Sequence, residues 1–177
     1  MVTKIIFTIV FFFNILIASS QIKISFEEDC IDKNTILLSQ FLIDVMGDDF
    51  VSNFLEERNA ILFVLEVDSL GRIVEIGRMR ERKEIDKTSK EKIVSALKSS
   101  GMEFTKCYWR TTVGQSDSAA YERISKDLFN EEKPTITINV AFPGFRYEVL
   151  SLKADDEKTG LSKLQILKEW IEENDCK

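Results

Sequence analysis

The chain has 177 residues, 44% of them hydrophobic and 31% charged, with a net charge of −6 and only two prolines. That is enough chain and apolar surface for one domain with a core of its own, and too little proline for a long proline-rich linker. Its acidity sets it against phosphate backbones, so nucleic acid is not an expected partner; the basic run Gly77–Lys83 reads as a solvated strand end.

Residues 1–20 read as a secretory signal peptide. Lys4 is followed by an apolar run from Ile5 to Ile17 and then by the small residues Ala18, Ser19 and Ser20, an order that signal peptidase accepts and a run shorter than the roughly 20 residues that span a bilayer. Cleavage would leave a single domain, 21–177, with a net charge of about −7 and membrane contact only through the lost segment. The expected location is a bacterial periplasm or the exterior. No Asn-x-Ser/Thr sequon follows residue 20, which fits a bacterial envelope. Export permits disulfides. Of Cys30, Cys107 and Cys176, an odd number that leaves at least one free or paired between chains, the first and last flank the domain, so Cys30–Cys176 is one candidate bridge; spacing does not fix connectivity.

Residues 21–31 read as an extended lead-in. Thr35–Met46 has apolar residues on a broad helical face, with Asn34 or Thr35 as the cap. Gly47 interrupts, and Asp48–Arg58 restarts a helix with the face Phe50, Val51, Phe54 and Leu55. Ile61, Phe63, Leu65 and Val67 then alternate with Leu62, Val64 and Glu66, which is the period of a strand. Asp68-Ser-Leu-Gly71 has turn chemistry, and Ile73, Val74 and Ile76 continue as the return strand of a hairpin. Asp86–Phe104 holds a helix with the capping box Thr88-x-x-Glu91, the apolar side Ile93, Val94, Ala96 and Leu97, and a stop at Gly101. Trp109–Lys133 reads as strand and loop, then a short helix from Ala119 to Phe129. Thr135–Phe142 alternates as another strand, Phe145–Leu152 reads as its extension or partner, Ala154–Gly160 as an acidic loop, and Leu161–Glu173 as an amphipathic closing helix. Helices set apart from a small antiparallel sheet make an α+β domain: a hairpin plus later strands, packed with N-terminal, central and C-terminal helices.

The chain contains no histidine. That removes the commonest general base and metal ligand, and with them Ser-His-Asp and Cys-His catalysis. The serines of Gly114–Ser118 have no base beside them. The carboxylates Glu27–Asp29, Asp48–Asp49 and Asp155–Glu157 are adjacent acids, whereas a glycosidase places two across a cleft. No catalytic residue, cofactor or metal ligand is expected. Tyr108, Trp109, Phe142, Phe145 and Tyr147 suit core packing, with a binding groove as the second reading.

The segments FVLEVDSLGRIVEIGRMR (Phe63–Arg80), SKEKIVSALKSSGMEF (Ser89–Phe104) and TITINVAF (Thr135–Phe142) together resemble the C-terminal domain of TonB-type energy transducers, over less than half of the mature chain and without the transducers' proline-rich linker. The resemblance implies the hairpin–helix–strand fold. The expected function is an exported, non-catalytic envelope protein that acts as a protein-binding or structural module. The edge of the strand carrying Thr135, Thr137, Asn139 and Ala141 is the candidate site for capturing a partner strand. The alternatives are a secreted hydrolase that uses carboxylates alone, and a structural component that self-associates through terminal helices, with Trp170 as a contact.

Overall fold

The computed structural model describes residues 24–25, 30–107 and 135–175. In chain order they form β1 (Ile24–Ser25), α1 (Cys30–Met46), α2 (Asp48–Glu56), β2 (Ile61–Val67), β3 (Ile73–Glu81), α3 (Lys87–Ser99), β4 (Lys106–Cys107), β5 (Ile136–Phe142), α4 (Phe145–Glu157) and α5 (Lys163–Asp175). The architecture is α+β. A three-stranded antiparallel sheet runs in the order β3-β2-β5, and β1 pairs with β4 in a separate two-stranded parallel sheet.

The central strand β2 sets the layout. Ile61, Phe63, Leu65 and Val67 are all buried, while the residues between them are exposed or half-buried. Strand β5 lies beside β2 in unbroken register, Phe63 opposite Val140 and Leu65 opposite Ile138. It buries Ile136, Ile138, Val140 and Phe142 on the same face. Helix α1 packs over β5 and α3 over β3, and α5 closes on α1 and α2. Leu38, Leu42, Ile93, Leu97, Leu167 and Trp170 supply the helical half of the core. Fully burying one such side chain stabilises by about 1.5–3 kcal/mol.

Strand β3 is less regular. Its register against β2 slips at Gly77 and again at Val74, so two residues of β3 lack a direct partner. Such bulges twist a strand and turn its edge away from further pairing.

The hairpin turn is tied at both ends. Asp68 Oδ1 accepts from the backbone N–H of Leu70 (2.8 Å) and Arg72 (3.0 Å), and Oδ2 accepts from Arg72 Nε at 2.9 Å. Burial would raise the Asp68 carboxyl, but these bonds from Arg72 and Leu70 outweigh it and hold the group below its ordinary value. Gly71 sits at φ 84°, and a Cβ there would lie 2.2 Å from the Phe104 carbonyl oxygen. Phe104, fully buried, donates its N–H to the Gly71 carbonyl at 2.9 Å. The segment after α3 therefore crosses directly against the turn.

Several local expectations are corrected. Helix α1 begins at Cys30, five residues before the expected Thr35. Asn34 is inside it and does not cap; its Nδ2 donates to the Thr105 carbonyl at 2.7 Å and its Oδ1 accepts from the Thr105 N–H at 3.0 Å. Helix α3 is capped by Asp86, which accepts from the Ser89 N–H at 2.9 Å, in place of the Thr88 box. Phe145–Leu152 is helix, not strand. The alternation of Phe145, Tyr147 and Val149 imitates a strand, but the inward positions are Tyr147, Leu150, Ser151 and Ala154, a helical spacing hidden by two small residues. The helix also absorbs the acidic stretch 155–157. Helix α5 starts from a Ser-x-x-Gln box: Gln165 N–H donates to Ser162 Oγ (3.2 Å), and Ser162 N–H donates to Gln165 Oε1 (2.8 Å).

The disulfide is also corrected. Cys30 bonds Cys107, with Cα atoms 5.7 Å apart and a sequence separation of 77. Cys30 opens α1 beside β4, where the Asn34–Thr105 bracket already holds the two segments together, so the candidate Cys30–Cys176 pairing gives way. Residues 1–20, the segment 108–134 and Cys176 lie outside the described residues.

Two outcomes follow. Gly71→Ala lowers stability by at least about 2 kcal/mol in urea denaturation, because strain and a backbone clash coincide; Gly101→Ala, at φ 66° with open space around it, costs only about 1 kcal/mol. A non-reducing digest yields a peptide joining Cys30 to Cys107; one joining Cys30 to Cys176 would contradict the fold.

Candidate functional site

A concavity of about 160 Å³ lies where the end of α2, the end of β3 and helix α4 converge. Its walls carry several charges and hydroxyls, each held in place by the local fold. Arg58 stands in the left-handed region (φ 52°) just past α2 and faces Asp155 at 3.7 Å. Arg82 follows β3, donates to the Arg58 carbonyl at 3.1 Å and ion-pairs with Glu148 at 2.8 Å. Asn59, buried, accepts from the N–H of Ala60 and of Lys83 and donates to the Lys83 carbonyl at 3.1 Å. Tyr147, 3% exposed, donates its hydroxyl to the Lys163 carbonyl at 3.0 Å. Burial pushes its phenol well above the ordinary value, against the opposing effect of the Ser151 hydroxyl.

This cleft is matched from within. Arg82, Asn59 and Tyr147 have partners in the wall, and both carboxylates face arginines. A ligand would have to break these bonds to use them. The cleft is therefore a joint that fixes α4 against α2 and β3, and the surface it presents is the outer side of α4.

That surface is apolar. Phe145 is 81% exposed, Leu152 53% and Val149 49%, at positions i, i+7 and i+4 of one helix, so they form a single stripe. Phe145 also borders a second, open groove of about 360 Å³ whose floor includes Leu62, Arg80 and Ala141. The groove joins the stripe to the outer face of the sheet. On that face the register sets Arg80, Leu62 and Ala141 in one row, and Arg78, Val64 and Asn139 in the next.

The residues expected to form a strand edge have the following places. Thr137, Asn139 and Ala141 project to the outer sheet face opposite the core, with Thr135 just before the strand. Strand β5 is an edge of the sheet among the described residues. Its Thr137 carbonyl accepts a hydrogen bond from Lys106 Nζ at 2.7 Å, and burial lowers the Lys106 ammonium below its ordinary value. One acceptor of that edge is thus already engaged. Of the aromatic candidates, Phe142 and Tyr147 are core and Phe145 is exposed; Tyr108 and Trp109 lie outside the described residues, as do Glu27–Asp29 and Gly114–Ser118. Asp48 accepts from Lys168 at 2.6 Å. Trp170, 3% exposed, packs in the core and is not a surface for self-association. Among the described residues, no three His, Cys, Asp or Glu side chains gather to hold a metal ion. The α4 stripe was not anticipated, because its segment reads as a strand; helical spacing of Tyr147, Leu150, Ser151 and Ala154 is the signal that would have found it.

Because the folded state raises the Tyr147 pKa, that residue's contribution is fully present below about pH 10 and is lost as pH rises beyond it. Tyr147→Phe is less stable than the wild type at pH 7 by about 1 kcal/mol, the worth of the lost hydrogen bond. The wild type's lead narrows above about pH 10 in thermal melts; a constant lead through that range would mean that the phenol is not buried as described. Comparisons of the chain with protein-family models, with curated proteins and with solved structures return no match.

Proposed function

We propose that this chain is an exported, non-catalytic protein-binding module of the bacterial envelope that holds its partner against the outer side of α4. The observation that carries the reading is the stripe of Phe145, Val149 and Leu152. Scattered single apolar residues are normal on a surface, whereas a contiguous stripe beside a groove costs solvation unless something covers it. Anchors at i, i+4 and i+7 are also the pattern by which a helix and a groove recognise one another. The signal-type character of residues 1–20 supports export. Among the described residues, no helix is long and apolar enough to cross a membrane. The TonB-type resemblance adds the order of hairpin, helix and strand to this reading. The β5 edge is a weaker place for capture, because Lys106 engages the Thr137 carbonyl and the opposite edge, β3, is bulged and charged.

The hydrolase alternative would fall to Glu148 and Asp155, the two carboxylates of the cleft. Each is engaged by an arginine, so neither is presented to a substrate.

A photo-crosslinking residue in place of Val149, in cells that export the protein, gives a discrete adduct with another protein. Phe145→Asp or Leu152→Asp abolishes that adduct without lowering the melting temperature, since both side chains are exposed. The same residue placed at Asn139 gives no such adduct. An adduct of twice the chain's own mass would replace this reading with self-association, and an adduct only from Asn139 would return the site to the strand face.

A further inference from the structure

The basic run that the sequence assigns to a solvated strand end sits on the outer sheet face beside the groove. Arg78 and Arg80 alternate with Met79, so both guanidinium groups project to one side of β3, about 7 Å apart. Both residues are exposed. Among the described residues, neither side chain takes part in a hydrogen bond or ion pair. Arg82, the next in the series, is by contrast bound to Glu148 and to the Arg58 carbonyl. Two uncommitted arginines therefore stand together on a chain whose net charge is −6, one of them in the floor of the groove that Phe145 walls.

We infer that the partner bound at α4 is an acidic peptide segment with an apolar anchor: its carboxylates meet Arg78 and Arg80, and its aliphatic or aromatic side chain fills the groove between Leu62 and Phe145. This inference rests on the protein-binding reading and adds the chemistry of the partner. Arginine forms paired, planar hydrogen bonds with carboxylates, and carboxylates two residues apart on an extended segment repeat at about the spacing of the two arginines. The concavity selects a polypeptide over a lipid surface. A flat bilayer resting on Phe145 would leave the groove floor, Leu62 and Arg80, unfilled.

The test uses the purified protein and two capped synthetic peptides, one built of glutamate and leucine and the other with lysine at every glutamate, followed by fluorescence anisotropy. The glutamate peptide is expected to bind about tenfold tighter than the lysine peptide and to weaken as salt is added. The double variant Arg78→Glu/Arg80→Glu is expected to reverse the preference while its melting temperature stays unchanged, since both residues are exposed. Phe145→Ala is expected to weaken both peptides. Equal binding, tighter binding of the lysine peptide, or no binding of either overturns the acidic-partner inference. So does sedimentation of the protein with phosphatidylglycerol vesicles in the absence of peptide binding. These results are separable from failure of the protein-binding reading itself: a crosslink at Val149 that survives with indifferent peptides leaves the surface and removes the partner's charge, whereas loss of the crosslink removes both.

Discussion

Ile61, Phe63, Leu65 and Val67 must all leave water on one side of a seven-residue strand, and β2 has neighbours on both of its edges. With both edges of its backbone paired, the strand can be covered only from above. This requires a layer of helices on one face, which α1 and α3 supply with α5 closing over α1 and α2, and it leaves the opposite face without such a layer among the described residues. The division of the sheet into a buried and an outer face decides where function can be sought. The outer face is where Leu62 and Val64, apolar but not enclosed, meet arginines, and it is continuous with the helix that follows β5.

How that helix leaves the sheet matters as much as the sheet itself. Strand β5 ends at Phe142, whose ring packs 5.3 Å from that of Phe54 in α2. The chain then turns through Pro143 and Gly144. A Cβ on Gly144 would lie 2.6 Å from the Thr35 methyl of α1, so the turn is pressed against the first helix. From this anchored corner α4 runs with Tyr147 inward and Phe145 outward. The paired charges of the cleft, Arg82 with Glu148 and Arg58 with Asp155, hold the helix in that rotation. Being exposed, each pair adds little stability; their effect is on orientation.

The sequence was legible where one physical signal dominated. The hairpin follows from strict alternation and from Asp68 and Gly71, and the α+β class follows from the change of period at α3. The bend at Phe104 was not legible, since nothing local says that Gly71 will touch a residue more than thirty positions away. The start of α1 was hidden because Cys30 and Asn34 serve long-range partners, Cys107 and Thr105, and not the helix end. At α4 the inward face includes Ser151 and Ala154, so the hydrophobic pattern that remains visible, Phe145, Tyr147 and Val149, has the wrong period. The candidate surface was lost with it. An apolar residue kept outside for a partner is indistinguishable, in sequence alone, from one destined for the core.

The position of the disulfide divides the chain into parts held in different ways. The loop closed by Cys30 and Cys107 contains α1, α2, the hairpin and α3. Strand β5, α4 and α5 come after it and are attached, among the described residues, by packing, hydrogen bonds and ion pairs such as Arg82–Glu148 and Asp48–Lys168. A sheet whose third strand lies outside the covalent loop has a built-in seam between β2 and β5. Excursions of the native state that open along that seam carry α4 with them and leave the bridged part intact. The part of the molecule that carries the exposed stripe is thus the part that can yield to a partner without a covalent bond being broken.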